Sequence, residues 1–299
     1  MKVADIAELL LLAVLWGGSF LFMRVAAPVL GPVWLIELRV LLAGLALLPL
    51  LIRSKHGAVV RAKAMPLLIV GCFNSALPFL LLAFASVSLP AGFTSILNAT
   101  TPLFGTVVAV VWLKERPTLG QMIGLGVGFA GVVVLVGLKS FVATTAFVMA
   151  CVAGLMAAVM YAIAAPYIKQ QLAGVPSLVI ATISQLSAAL FLIPALPFTI
   201  PKTLPTPTVW LSVLALALFS TSLAYILYFR LIHNVGSTQA LTVTYLIPAF
   251  AMAWGALLLN EPITLSMTLG GALVLLGTAI ANGIFNRFWP KTDKPKNDR

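Results

Sequence analysis

Charge is scarce in this sequence: Asp, Glu, Lys and Arg make up 8% of its 299 residues, against about 25% in a soluble domain. Too few polar side chains remain to cover a water-facing surface, which excludes a soluble fold. Histidine is nearly missing, with only His56 and His233, each at the edge of a loop. With seven acidic residues in the whole chain, the raw material for a metal centre, a cofactor site or an intramembrane enzyme is poor, and none is expected. The two cysteines, Cys72 and Cys151, sit inside apolar runs without ligand spacing. They read as small core residues, not as a disulfide or metal pair. Strict apolar–polar alternation is absent as well, which excludes a membrane β-barrel. The N-terminus lacks a basic leader and a small-residue cleavage motif, and Asp5 and Glu8 precede the first apolar run, so that run is kept as a span.

Apolar residues fill the gap, at 62% of the chain with a mean hydropathy of +1.12. A membrane span needs about 20 of them in a row. Cutting at charged, Pro-rich and Gly-rich punctuation predicts ten, at residues 5–26, 32–52, 65–86, 90–113, 119–138, 145–168, 176–198, 208–231, 237–259 and 265–286. The fold class is an all-α polytopic membrane protein, with the lipid bilayer as its main partner. The net charge of +11 reads as basic cytoplasmic loops, not as a nucleic-acid surface. With the N-terminus inside, fourteen Lys and Arg fall on the inner side, among them Lys2, Arg53, Arg61, Lys114, Lys169 and Arg230. Three fall outside: Arg24, Lys139 and Lys202. Both termini are therefore expected in the cytoplasm. Residues 288–299, rich in Lys and Pro, are expected to form a disordered tail.

The chain also repeats itself. LNATTPLFGTVVAVVWLKERPTLGQMIGLG, from Leu97, is echoed from Val243 by VTYLIPAFAMAWGALLLNEPITLSMTLGG. Pro102 matches Pro248, Glu115 matches Glu261, Thr118 matches Thr264, Gly124 matches Gly270 and Gly131 matches Gly277, every pair 146 positions apart. Ser75 meets Thr221 and Phe79 meets Tyr225 at the same offset, while Trp16 meets Tyr161 and Arg24 meets Lys169 at 145. One period for so many helix-breaking and turn-forming residues marks an internal duplication. It divides the chain into repeats at 1–143 and 144–287 with five spans each. Five is odd, so the second repeat crosses the membrane in the opposite sense. Inverted repeats around a central pathway are the architecture of secondary transporters.

With Trp16-Gly17, Arg39 in the second span, a small-residue helix ending in Pro102, the Glu115 turn and a Gly-rich span, all duplicated, the sequence resembles the drug/metabolite transporter superfamily. The match is to its ten-helix EamA group, nearest the YddG-type exporters of neutral and aromatic amino acids. It covers the chain to about residue 287. The resemblance implies a basket of helices around a cavity lined by spans 1, 3, 4, 6, 8 and 9, with spans 5 and 10 bracing the side. Small multidrug transporters of that superfamily use a mid-membrane Glu, and Trp16 stands roughly where it is expected. No carboxylate lies at mid-depth in a lining span, so proton-driven cation export is disfavoured. The expected function is export of small organic solutes by alternating access. A multidrug, cation or nucleotide-sugar transporter of the same fold is the alternative.

The residue candidates follow from chemistry at depth. Proline removes an amide and clashes with the carbonyl four residues back, here those of Asn98 and Thr244, and in lipid a freed carbonyl needs a partner or a wet cavity. Pro102 and Pro248 are therefore expected hinges, with Asn98, Thr101, Thr244 and Tyr245 as substrate contacts beside them. The competing reading is a packing kink satisfied by nearby hydroxyls. Pro78, which frees the Asn74 carbonyl, adds Asn74 to the set. Trp16, Phe79, Tyr161 and Tyr225 lie deep in their spans, and buried Tyr hydroxyls want partners, which fits a polar lumen for an aromatic or amphipathic solute. Arg24 and Arg39 read as carboxylate attractors or as closers of an outer gate, or else as structural ties between spans, and for Arg39 the tie is favoured because span two is peripheral in the family arrangement. Glu115 and Glu261 are expected to order their turns, with Thr118 and Gln121 as a capping box. Gly120, Gly124 and Gly128 form a small-residue ladder that permits close helix contact, expected between spans five and ten of one monomer.

Overall fold

The computed structural model describes residues 1–137 and 144–283. Lys139, Trp289 and the expected tail lie outside the described residues. Among those described there is no strand, and nearly the whole chain is helical. Seven helices are long and apolar enough to cross a membrane. They are α1 (Val3–Arg53), α2 (Ala64–Ser88), α3 (Ala91–Val111), α4 (Leu119–Gly137), α5 (Thr145–Gln171), α6 (Ser177–Phe198) and α7 (Pro207–Val235). Two shorter apolar helices follow, α8 (Ile247–Leu259) and α9 (Leu265–Ala281). A helical turn and a 3-10 segment, Ser237–Ala240 and Leu241–Tyr245, lead into α8.

Helix α1 has 51 residues, too long for one crossing, and breaks at Gly31 (φ 76°, ψ 154°). Only glycine adopts that backbone at no steric cost, and Pro28 and Pro32 flank it. The break yields two limbs, 3–30 and 32–53, which correspond to the first two predicted spans.

The two prolines do not sit inside continuous helices. The first segment of α3 ends at Asn98, and a new segment starts at Thr101 with Pro102 in its first turn. Pro248 likewise lies in the first turn of α8. There the missing amide is one that no helix would have satisfied. The Asn98 carbonyl accepts a hydrogen bond from the Thr101 hydroxyl at 2.7 Å. At this carbonyl the nearby hydroxyl of the competing reading is present.

Local structure recurs at the sequence period. A π segment at Cys72–Ala76 in α2 has a counterpart at Leu218–Leu223 in α7. Proline cannot cause both, because Ala224 stands where Pro78 would be. In α7 the extra residue per turn is held by hydroxyls reaching back five positions, Thr221 to the Leu216 carbonyl at 2.8 Å and Ser222 to that of Ala217 at 3.0 Å. The two Glu turns also match. Lys114 and Asn260 both adopt positive φ, 57° and 52°. The Glu115 amide donates to the Ala109 carbonyl at 3.1 Å and the Glu261 amide to that of Gly255 at 3.0 Å.

Packing is densest between α4 and α9. A β-carbon at Gly124 would fall 2.6 Å from the Gly277 carbonyl, and one at Gly277 would fall 2.6 Å from that of Gly124. Gly131 and Gly270 stand in the same reciprocal relation, at 2.8 and 2.9 Å. The glycines thus bring two backbones into contact within one chain. Elsewhere α1 packs on α2, α6, α7 and α8, and α5 packs on α2 and α3. Among the described residues α5 makes no substantial contact with α7 or α8.

Candidate functional site

Three groups of side chains gather where the helices converge. The first surrounds Arg39. This residue lies on the second limb of α1 and is 5% exposed. Its Nε donates to Thr221 Oγ1 on the π segment of α7 at 3.0 Å. Its guanidinium carbon lies 3.7 Å from the centre of the Phe79 ring. One terminal nitrogen is 3.9 Å from Met23 Sδ, a weak acceptor. Tyr161 and Tyr225 lie within electrostatic reach. Arg39 was expected at the periphery. It is instead buried at the junction of α1, α2 and α7, because the π segment turns the Thr221 hydroxyl toward it. Glu37, two residues earlier, is also buried, and its Oε2 has no hydrogen-bond partner.

The second group is aromatic. Trp16 on the first limb of α1 packs against Tyr228 of α7 with ring centres 5.1 Å apart and planes tilted by 55°. Tyr225 and Phe229 stack at 5.8 Å. Trp16, Tyr161, Tyr225 and Tyr228 are all half-buried. Tyr161 packs against the same apolar cluster as Trp16 and Phe79. Of the remaining candidates, Asn98 has a buried Oδ1 without a partner, and Asn74 is half-buried at the π segment of α2. Thr244 bonds its own turn, donating to the Leu241 carbonyl at 2.8 Å. Tyr245 accepts a hydrogen bond from Asn282, beyond the end of α9, at 2.7 Å, which ties it to α9 and not to Trp16.

The third group closes one end of the bundle. Arg24 Nε meets Glu261 Oε1 at 3.1 Å. A terminal nitrogen of Arg24 donates to the carbonyls of Ser86 at 3.1 Å and Val87 at 2.7 Å, at the end of α2. Glu261 Oε2 accepts the backbone amide of Ala91, at the start of α3, at 2.9 Å. One ion pair thus joins α1, α2, α3 and the α8–α9 turn. It lines a shallow depression of about 460 Å³ with Pro28, Val87 and Leu259. At the opposite end Glu8 pairs with Arg230 at 2.7 Å. The positions that match Arg24 and Glu261 are Lys169 and Glu115. Both are exposed and form no ion pair among the described residues.

Sequence reasoning found the aromatic group and missed two connections. Gln185 Nε2 of α6 donates to Ser75 Oγ on the π segment of α2 at 3.1 Å. Arg39 and Gln185 are 146 apart, as are Thr221 and Ser75, so the repeat offset was a signal that could have found this pair. The Arg24 bonds to backbone carbonyls carry no sequence signal. Glu261 does more than order its turn, because it also caps α3. The Thr118–Gln121 capping box is present, with bonds of 2.8 and 3.2 Å.

Helices of this length and apolarity, with buried polar groups where they converge, define a multi-pass helical membrane protein. Comparison with known proteins specifies which. The EamA-like transporter family model matches residues 6–137 and 148–283, and the chain belongs to this family. It is a transporter, not an enzyme. A probable terminal-alkyne amino-acid exporter of Streptantibioticus cattleyicolor is 29% identical, over 92% of this chain and 92% of that one. A probable amino-acid metabolite efflux pump of Salmonella typhimurium is 25% identical, over 91% and 92%. A solved crystal structure superposes with a TM-score of 0.66 over 97% of this chain and 100% of the other at 19% identity, which is a likeness of fold alone.

Proposed function

We propose that this protein is a secondary transporter that exports small organic solutes, chiefly neutral or aromatic amino acids or related metabolites, by alternating access. Its ten spans form two inverted five-helix repeats, 1–143 and 144–287, around a central path. It works as a monomer in a bacterial inner membrane with both termini in the cytoplasm. The two separate segments matched by the family model and the π segments and Glu turns recurring at one period support the duplication.

The observation that carries the mechanism is one-sided closure. The Arg24–Glu261 pair draws the first limb of α1 onto α2 and α3. Of the matching contacts, α5 makes none of substance with α7 or α8 among the described residues, and Lys169 and Glu115 form no ion pair there. Two repeats of like sequence in unlike arrangements are what a carrier holds when it is shut at one end. Exchanging the arrangements moves access to the other end. On the proposed topology this state is closed outside, and the substrate enters from the cytoplasm among Trp16, Asn74, Phe79, Asn98, Thr101, Tyr161, Tyr225, Thr244 and Tyr245, with Pro102 and Pro248 as hinges. Two relatives named as an amino-acid exporter and an amino-acid metabolite efflux pump favour amino acids, and the buried Arg39 disfavours cations.

Counterflow of radiolabelled amino acids in proteoliposomes tests the reading. Saturable uptake of neutral or aromatic amino acids, accelerated by unlabelled substrate on the far side, is expected. No counterflow across a broad panel sinks the amino-acid assignment, and unsaturable flux without counterflow would mean a pore.

A further inference from the structure

We infer that Arg39 is the residue that recognises a carboxylate on the transported solute. The inference deepens the amino-acid reading above and rests on it.

Arg39 ties the second limb of α1 to the π segment of α7 through Thr221, at 3.0 Å. At the matching positions Gln185 ties α6 to the π segment of α2 through Ser75, at 3.1 Å. The two bonds have the same donor helix type, the same acceptor site and nearly the same length. The neutral amide of Gln185 does this job while fully buried. A positive charge is therefore not needed to hold a span against a π segment. At position 39 the charge is an addition to the tether, and it is a costly one, because a buried ion without a counter-ion is strongly unfavourable.

No described residue supplies that counter-ion. The ion pairs among the described residues are Arg24–Glu261 and Arg230–Glu8. Glu37 does not pair with Arg39, and residues two apart on a helix do not face each other. Phe79 covers one face of the guanidinium, which offsets part of the cost through the ring quadrupole. Thr221 occupies Nε. Against the two terminal nitrogens stands only a thioether sulfur. What stays available is the fork whose geometry matches a carboxylate. Tyr161 and Tyr225 lie within its electrostatic reach, and their hydroxyls donate to no described residue. Phe79 and Tyr225 are themselves repeat mates, so a ring from each half borders the cation. The class of ligand is a solute with an ionised carboxylate and an apolar or aromatic body, such as a zwitterionic amino acid. Its amide and its decarboxylated amine are excluded.

The experiment is competition of amino-acid counterflow in proteoliposomes by the unlabelled amino acid, its amide and its decarboxylated amine, using the full-length protein. Wild type is expected to prefer the amino acid by about tenfold or more, the value of one charge-assisted contact. Arg39→Gln, which copies the neutral repeat mate, is expected to purify monodisperse and to lose that preference. Gln185→Leu, which removes the neutral tether, is expected to keep it. Equal competition by amino acid and amide in wild type overturns the inference while leaving amino-acid transport standing. An Arg39→Gln protein that retains the preference overturns it too. So does one that fails to purify monodisperse, since a neutral residue would then not suffice as the tether. Absence of any amino-acid counterflow in wild type is the distinct result that removes the underlying reading.

Discussion

Arg24 and Glu261 show how a single ion pair acquires a role beyond its own strength. Their side chains are 30% and 12% exposed, and a half-exposed pair contributes only about 1 kcal/mol. The backbone partners make the difference, because Ser86, Val87 and Ala91 bind the same two side chains. Glu261→Gln keeps an acceptor for the Ala91 amide and removes the charge. We expect this change to shift the balance away from the closed state by roughly tenfold, the effect of about 1.4 kcal/mol. The readout is Met23→Cys, a buried position beside Arg24, in a background with Cys72 and Cys151 replaced. Its labelling by an impermeant maleimide from the Glu261 side should speed up in the Glu261→Gln protein. An unchanged rate would show that the ion pair is not the closure.

Among the elements, α4 and α9 form the contact that depends most on residue size. Gly131→Val places methyl groups against the backbone of Val274 and Gly270, atoms that cannot rotate away. Overpacking of this kind costs about 1–3 kcal/mol, and a backbone obstacle puts it at the upper end. Gly126 has open space around its would-be β-carbon, so Gly126→Ala is expected to change stability by less than about 0.5 kcal/mol. Thermal unfolding in detergent compares the two, and equal melting temperatures would refute the contact. At α3, Thr101→Val removes the hydroxyl that satisfies the Asn98 carbonyl and should cost about 1–3 kcal/mol in the same assay. A neutral result would mean that the carbonyl finds another donor, as an open hinge would allow.

For the whole molecule, exchange of the two repeat arrangements makes a geometric prediction. When the Arg24 end opens, Lys169 and Glu115 should approach as Arg24 and Glu261 do now. A Lys169→Cys, Glu115→Cys double variant is expected to crosslink only when the Glu261 end is open, for instance in the Glu261→Gln background. Equal crosslinking in both backgrounds would argue against exchange. The proposed orientation is tested by the same chemistry: a cysteine at Glu115 should label from the cytoplasm and one at Pro262 from outside.

The all-helical, membrane-spanning character and the recurrence of local structure at one period were legible in the sequence because each rests on local composition or on a period. Lipid leaves no choice about apolar runs, and helix-breaking residues at one offset survive as text. The ladder of Gly120, Gly124 and Gly128 likewise announced close packing of span five against span ten, and Gly124 makes that contact. Arg24 and Arg39 were legible as candidate ties or gates, but what they and Gln185 bond to was not. Their partners lie 182, 110 and 237 residues away in sequence, and two of the acceptors of Arg24 are backbone carbonyls that any residue would present. Hydrophobicity and turn chemistry therefore determined from the sequence alone that this is a duplicated helical membrane protein. Which long-range pairs form, Arg39 with Thr221, Gln185 with Ser75 and Arg24 with Glu261, only the tertiary structure decided, because each joins parts of the chain far apart in sequence.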